Sequence, residues 1–150
     1  MLPRSINPFL RRMRAHARQN VVFDHVTSCH AQYVIERYRR IPPGGNWEDI
    51  RKLMTNYTAI GRTHSNIYRR LEWDETSITI GDYRKSMIVH PAQHRGLSVR
   101  EAARLQSFPD WYRFSGGQNS PGGLMHKQKQ LANAVCPLVT QAFAEFILRL

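Results

Sequence analysis

Cys29 and Cys136 are the thiols of this chain that could serve as nucleophiles or metal ligands. They lie far apart and form no Cys-x-x-Cys pair, and none of the seven His completes a zinc-like pair with either, so no structural metal is expected. The chemistry the residue types do favour is anion binding. Eighteen Arg and four Lys stand against eleven Asp and Glu, giving a net charge of +11 and a pI near 10.5. A guanidinium offers a planar fork that matches phosphate and the guanine edge, where an ammonium is only a point charge. Such a field favours nucleic acid as the partner. The plainer readings are a solvated basic surface, an acidic partner subunit, or the arginine bias of a GC-rich genome.

The elements that would position these groups can be read in order. The first forty residues hold eight Arg against Asp24 and Glu36, a basic opening arm. Residues 4–18 could form a helix but lack an acidic partner and a clean apolar stripe, so a solvated or partner-ordered segment is expected there. Thr27 or Ser28 can cap a helix on which Tyr33, Val34, Tyr38 and Ile41 recur at helical spacing, with Glu36 and Arg40 paired on its polar side. Pro42-Pro43-Gly44-Gly45 stops it, and Asn46 caps a short helix through Trp47, Ile50 and Met54. Ile67-Tyr68, Ser77–Ile80 and Met87–Val89 read as short strands, the first two flanking a turn at Trp73–Thr76. Ser115–Gly123 is a Gly/Ser/Asn loop. A closing helix breaks near Cys136-Pro137, and its second half carries Leu138, Val139, Phe143, Phe146, Ile147 and Leu150, a stripe that must pack on something.

The most informative stretch runs from His90 to Asp110. Ser98-Val99-Arg100-Glu101 is a capping box that opens a helix with Arg100 and Arg104 one turn apart, and Phe108-Pro109 ends it. Taken alone, Arg-Glu-x-x-Arg is an ordinary solvated ion-pair ladder. About twenty residues later comes Gln130-Leu131-Ala132-Asn133-Ala134-Val135-Cys136-Pro137. Alone, that is a helix junction capped by Asn133.

Together, at this distance, the gap-free Leu97-Ser98-Val99-Arg100-Glu101-Ala102-Ala103-Arg104-Leu105-Gln106-Ser107-Phe108-Pro109-Asp110 and the Asn133-Ala134-Val135 string resemble the last two sequence blocks of the DNA cytosine-5 methyltransferase family. Upstream, Asp24–Thr27, Ile41–Trp47, His64–Leu71, Thr79-Ile80 and Asp82–Lys85 resemble that family's target-recognition region, so the likeness covers about residues 20–149. Two departures occur: Ala132 stands where the family usually has Gly, and Cys136 where it has the first Pro of a pair.

The resemblance implies a mixed α/β fold: the C-terminal portion of a Rossmann-like methyltransferase domain with a small, irregular α+β recognition region. It divides the chain into a basic arm (1–19), a target-recognition region (20–89) and a C-terminal methyltransferase piece (90–150). It places Arg69, Arg70, Thr79, Arg84 and Lys85 near double-stranded DNA, mostly as backbone contacts. Asn133, Ala134 and Val135 would close part of an S-adenosyl-L-methionine pocket, and Arg100, Glu101 and Arg104 would organise the architecture.

The chemistry itself needs a thiolate, an acid, a bound methyl donor and a base lifted from the stack. In the family these come from Pro-Cys, Glu-Asn-Val and a Phe-x-Gly-x-Gly turn at a strand end. None of those strings occurs here, and neither Cys29 nor Cys136 follows a Pro, so no catalytic residue is assigned. The expectation is a C-terminal subunit or fragment completed by an N-terminal methyltransferase subunit, and inactive alone. The alternative is a DNA-binding remnant that has lost catalysis. No run of about eighteen apolar residues occurs, and Arg4, Arg11, Arg12 and Arg14 precede no secretory apolar core. A cytoplasmic, bacterial or phage-encoded protein is therefore expected, away from membranes.

Overall fold

Caps and apolar spacing set the helices, and the strand signals fail for a reason visible in the backbone. The structure, a computed structural model, describes residues 7–17, 21–62, 64–116 and 123–150. It divides into two compact units: Met1–Val26 with Ser98–Leu150, and Thr27–Leu97. Both boundaries lie beyond those read from the sequence, because Val99 N–H donates to Val26 O and Arg100 N–H to Asp24 O (3.2 and 3.0 Å). Segment 23–26 is thereby stitched to the residues after 97.

In the Thr27–Leu97 unit, the first helix spans Gln32–Arg40 (α2, numbering α1 in the other unit). It begins later than the Thr27/Ser28 cap, at Ala31, with no side-chain cap bond. Glu36 and Arg40 pair at 2.9 Å as expected. The stripe is altered: Tyr33 is 57% exposed, and Arg37 takes a core position at 3%. The core is Val34, Tyr38, Ile41, Trp47, Ile50, Met54, Tyr68 and Val89. The helix ends at Arg40 with Ile41 extended as its C-cap, and in the turn that follows Gly44 adopts φ +67°, where a Cβ would run into the Glu72 carboxylate. The segment after Asn46 forms turns and a 3-10 turn at Arg51–Leu53 rather than an α-helix, with Asn46 Oδ1 accepting Glu48 N–H at 2.7 Å. A second 3-10 turn follows at Ile60–Arg62, then a one-turn helix at Tyr83–Ser86 (α3).

The three expected strands do not form runs among the described residues. Two isolated bridges remain, Arg70 with Val89 and Val89 with Gly96. Tyr68 and Met87, each inside an expected strand, have φ +57° and +51°, and a left-handed residue breaks an extended run. Val89 N–H reaches Arg69 O and Leu71 N–H reaches Val89 O, and the ladder goes no further there. Ser77, Ile78 and Thr79 are likewise without ladder assignment, while Ile80 is buried at 6%.

His30 sits half-buried with Nε2 3.2 Å from the Tyr38 hydroxyl. Burial pushes its pKa below the ordinary imidazole value of 6.5, because the imidazolium loses solvation. The unfolded chain thus takes up the proton first. Stability from this pair is complete above that value and declines as pH falls through it. The thermal midpoint of the wild-type chain should therefore drop on acidification more than that of His30→Gln, which keeps an acceptor but cannot titrate. Parallel curves for the two would show that His30 is solvated in the folded state.

In the other unit, the described part of the arm, residues 7–17, is a helix anchored by one side chain with most of its surface exposed, and the rest of the arm lies outside the described residues. Asn7 Oδ1 caps Phe9 N–H at 2.8 Å, Pro8 occupies the first turn, and helix α1 runs Pro8–Arg14. Met13 anchors it at 2% exposure, and Asp110 N–H donates to Met13 O at 2.7 Å. Helix α4 (Val99–Leu105) carries the full capping box: Glu101 N–H to Ser98 Oγ at 3.1 Å, Ser98 N–H to Glu101 Oε2 at 2.8 Å. Such a cap stabilises a helix by about 1 kcal/mol. Helices α5 (Gly123–Ala132) and α6 (Pro137–Ile147) flank the expected break. Most of the Ser115–Gly123 loop lies outside the described residues. Helix α4 packs on α5, and Val99, Ala102, Ala103, Phe108, Phe114 and Leu131 are buried.

Candidate functional site

The His90–Asp110 block builds its part of the site from one buried guanidinium. Arg100, 1% exposed, donates to Phe23 O and Pro109 O, both at 2.9 Å, and to Tyr112 O at 2.5 Å. Burial pulls its pKa down, and the carboxylates of Asp110 and Asp24 pull it back up. Arg104 grips Asp110 with two parallel bonds of 2.8 and 2.6 Å. Glu101 serves the capping box. Arg100 and Arg104 therefore hold chain segments to one another, Glu101 completes the cap of its own helix, and the helix is no solvated ion-pair ladder.

Asp24 is the residue the sequence reading undervalued. It is buried, takes φ +61°, and accepts from Lys127 Nζ at 2.6 Å and Phe114 N–H at 3.2 Å, with Arg100 Nη2 at 3.5 Å. One carboxylate thus holds α4, α5 and the 108–114 turn together. The available signal is the Asp24–Thr27 string, which resembles the start of the recognition region, and Asp24 is also the first acidic residue after five arginines.

The second sequence block is physically joined to the first. Ser107, in the left-handed region at φ +61°, accepts Leu138 N–H on its hydroxyl at 3.1 Å, so it caps α6 where Cys136 offers no side-chain bond. Between α5 and α6 lie Asn133, Ala134 and Val135, with Asn133 exposed and Val135 69% exposed. Asn133 N–H closes the end of α5 on Lys129 O at 3.1 Å. Ala132 lies in the last turn of α5 without positive φ, so the family's Gly is not needed here. Cys136 is half-buried, and Cys29 is exposed and precedes α2 rather than lying within a helix.

Helix α6 buries no residue. Val139, Phe143, Phe146 and Ile147 are 48–65% exposed, and Leu138, Val139, Ala142, Phe143 and Phe146 line a shallow apolar groove. So large a contiguous apolar patch marks a contact surface.

In the Thr27–Leu97 unit the five expected DNA contacts separate. Arg70 is corrected outright: it is 4% exposed, and its guanidinium is spent on carbonyls. It donates to Ile41 O (2.8 Å), His90 O (2.6 Å), Gln93 O (3.2 Å) and Tyr38 O. Burial lowers its pKa. A phosphate could reach it only by unpicking that net. Arg69 is half-buried, Thr79 is exposed, and Lys85 is exposed with Asp82 3.4 Å away. The Arg84 side chain lies outside the described residues. Arg37, unmarked by the sequence reading, is a second buried knot. It donates to Leu53 O at 3.1 and 2.7 Å and to the Tyr68 hydroxyl at 3.1 Å, and also to Asn56 Oδ1. Among the described residues no cluster of three or more His, Cys, Asp or Glu could hold a metal, and no helix is long and apolar enough to cross a membrane.

The sequence matches the C-5 cytosine-specific DNA methylase family over residues 6–149. It is 48% identical over 86 residues to the Type II methyltransferase M.AgeI of Thalassovita gelatinovora, covering 55% of this chain and 19% of that protein. It is 33% identical over 132 residues to the Type II methyltransferase M1.HphI of Haemophilus parahaemolyticus, covering 87% of this chain and 32% of that protein. Among solved structures it resembles one described as a DNA modification methyltransferase encoded within an E. coli prophage, with TM-score 0.54 and 26% identity over 80% of this chain and 27% of that one. The chain thus spans a third or less of the length of these relatives.

Proposed function

Because this chain belongs to the C-5 cytosine-specific DNA methylase family, we propose that it supplies target recognition and one wall of the methyl-donor pocket to a DNA cytosine-5 methyltransferase. In this reading the Thr27–Leu97 unit meets double-stranded DNA, with Arg69, Thr79, Arg84 and Lys85 as its contacts. Asn133, Ala134 and Val135 close part of the S-adenosyl-L-methionine site, within a Rossmann-like α/β domain completed by further polypeptide. The Pro-Cys, Glu-Asn-Val and Phe-x-Gly-x-Gly elements come from that polypeptide, either linked to this chain or as a separate subunit. A cytoplasmic setting in a bacterium or phage belongs to the same reading.

The observation that carries it is the pairing of an apolar α6 that buries nothing with an exposed Asn133–Val135 turn at its start. A protein that only binds DNA has no use for either. The turn suits a donor wall: Asn133 offers an amide that can donate and accept, and Val135 offers an apolar face. When bound, the donor supplies a sulfonium methyl group. What this chain's residues do is bind and orient. Ser107 fixes the first turn of α6 by its bond to Leu138 N–H, and Asp24 fixes α5 through Lys127, so the turn is held from both sides.

The test is reconstitution with a polypeptide bearing the three missing elements. Methyl transfer to duplex DNA should appear on mixing. Phe143→Ser/Phe146→Ser should abolish assembly and lower transfer at least tenfold, while shifting this chain's own stability by about 0.5 kcal/mol or less, since both rings are exposed. Assembly that survives the double substitution would place the interface elsewhere. Duplex binding by this chain with no transfer under any pairing would favour the remnant reading.

A further inference from the structure

Helix α6 is placed without being packed. Every residue from Val139 to Leu150 is exposed, and a helix of 11 residues is marginal by itself in water. Two polar ties hold it. Ser107 Oγ accepts Leu138 N–H at 3.1 Å. One turn further on, the guanidinium of Arg12 on α1 donates to Gln141 Oε1. Among the described residues, no other hydrogen bond or ion pair joins 139–150 to a different element.

The second tie has charge behind it. Gln141 Nε2 donates in turn to Glu145 Oε1 at 2.6 Å. The amide therefore lies between a cation on its oxygen and a carboxylate on its nitrogen, and each polarises it in the same sense. Gln141 and Glu145 are one turn apart on α6, on a different stripe from Leu138, Ala142 and Phe146 of the apolar groove.

Both ties start from one stretch of chain. Ser107 makes the first. Met13, next to Arg12, is buried, and Asp110 N–H donates to Met13 O at 2.7 Å. Ser107–Asp110 thus anchors the start of α6 and the end of α1 together. A single bond at Leu138 leaves a helix free to turn about its axis and to swing. A second bond at Gln141 removes that freedom.

We propose that α1 is a clasp for α6, with Arg12 as its positioning residue. By holding Gln141 it sets which face α6 presents, so the apolar groove is preformed for the polypeptide that completes the enzyme. The inference rests on the reading of α6 as the assembly surface. It adds that α1 reduces the ordering left for assembly to supply.

The experiment follows hydrogen exchange in the full 150-residue chain. It also measures affinity for a polypeptide bearing the Pro-Cys, Glu-Asn-Val and Phe-x-Gly-x-Gly elements. In Arg12→Ala the amides of 141–148 should exchange about fivefold faster, the equivalent of one ordinary hydrogen bond, with α4 and α5 unchanged. Affinity should fall about two- to fivefold, and Arg12→Lys, which keeps a charged donor, should recover most of both losses. Gln141→Ala should lose as much as Arg12→Ala although alanine is the better helix former, and the double substitution should be no worse than either. Unchanged exchange in the single variants, or additive losses in the double, overturns the clasp. Faster exchange with unchanged affinity overturns the claim that the clasp serves assembly. If the wild-type chain does not bind that polypeptide, the assembly reading falls, and exchange alone decides the clasp.

Discussion

Replacing Arg70 with alanine is expected to destabilise the Thr27–Leu97 unit by about 3–5 kcal/mol, a large share of a small domain's stability. The reason is local. The guanidinium supplies donors to Tyr38 O and Ile41 O at the end of α2, and to His90 O and Gln93 O in the turn after Val89. Truncation leaves the buried acceptors Tyr38 O and Ile41 O without this donor, at about 1–3 kcal/mol each before relaxation, and loosens the turn at His90 and Gln93. Arg70→Lys should recover less than half, because one ammonium cannot span the two groups of carbonyls that the fork reaches. Denaturant unfolding with hydrogen exchange resolved along the chain separates the two units, and the loss should be confined to residues 27–97. A change within about 1 kcal/mol of wild type would mean that those carbonyls are readily hydrated. A folded Arg70→Ala protein with a weakened salt dependence of DNA binding would return Arg70 to the DNA surface.

The second large effect is expected at Asp24. Its carboxylate lies between Lys127 Nζ at 2.6 Å and Arg100 Nη2 at 3.5 Å, all three side chains largely shielded from water. Asp24→Asn keeps an oxygen for Phe114 N–H and tolerates the backbone at φ +61°, since Asn enters the left-handed region readily. It therefore isolates the charge, and leaving buried Lys127 without its counter-charge, while Arg100 keeps Asp110 and its three carbonyls, should cost about 3 kcal/mol. Asp24→Ala adds the backbone strain and should cost more. Because the loss comes from a stranded cation, Asp24→Asn/Lys127→Met should be less damaging than the sum of its two single substitutions. Strict additivity would show that Lys127 finds water once Asp24 is neutral. The same node fixes α5, so under the proposed function the Asp24→Asn protein should also bind the methyl donor more weakly in the reconstituted enzyme.

The family and the helices were legible because they are local. The capping box at Ser98–Glu101, the stop at Pro42–Gly45, the break at Cys136-Pro137 and the apolar stripe of α6 each depend on residues within a few positions of one another. The strands were misread for a related reason. Ile67-Tyr68 and Met87–Val89 have β-forming side chains, but Tyr68 and Met87 are held at positive φ. The holding bonds are long-range: Tyr68 N–H reaches Ser86 O, and the Tyr68 hydroxyl receives Arg37. In the described part of the arm the helix at Pro8–Arg14 is anchored by one buried methionine, Met13, while Arg11 and Arg12 stay exposed.

The sequence by itself determined the family, the order of its blocks and an excess of positive charge, since these are properties of residue type and spacing. Only the tertiary structure decided which arginines that charge belongs to. Arg37, Arg70 and Arg100 look like any others in the sequence, yet each is buried to serve backbone carbonyls from distant segments. The physical reason is that a guanidinium's five donors can satisfy several stray carbonyls at once, and whether such carbonyls lie within reach depends on how remote segments come together.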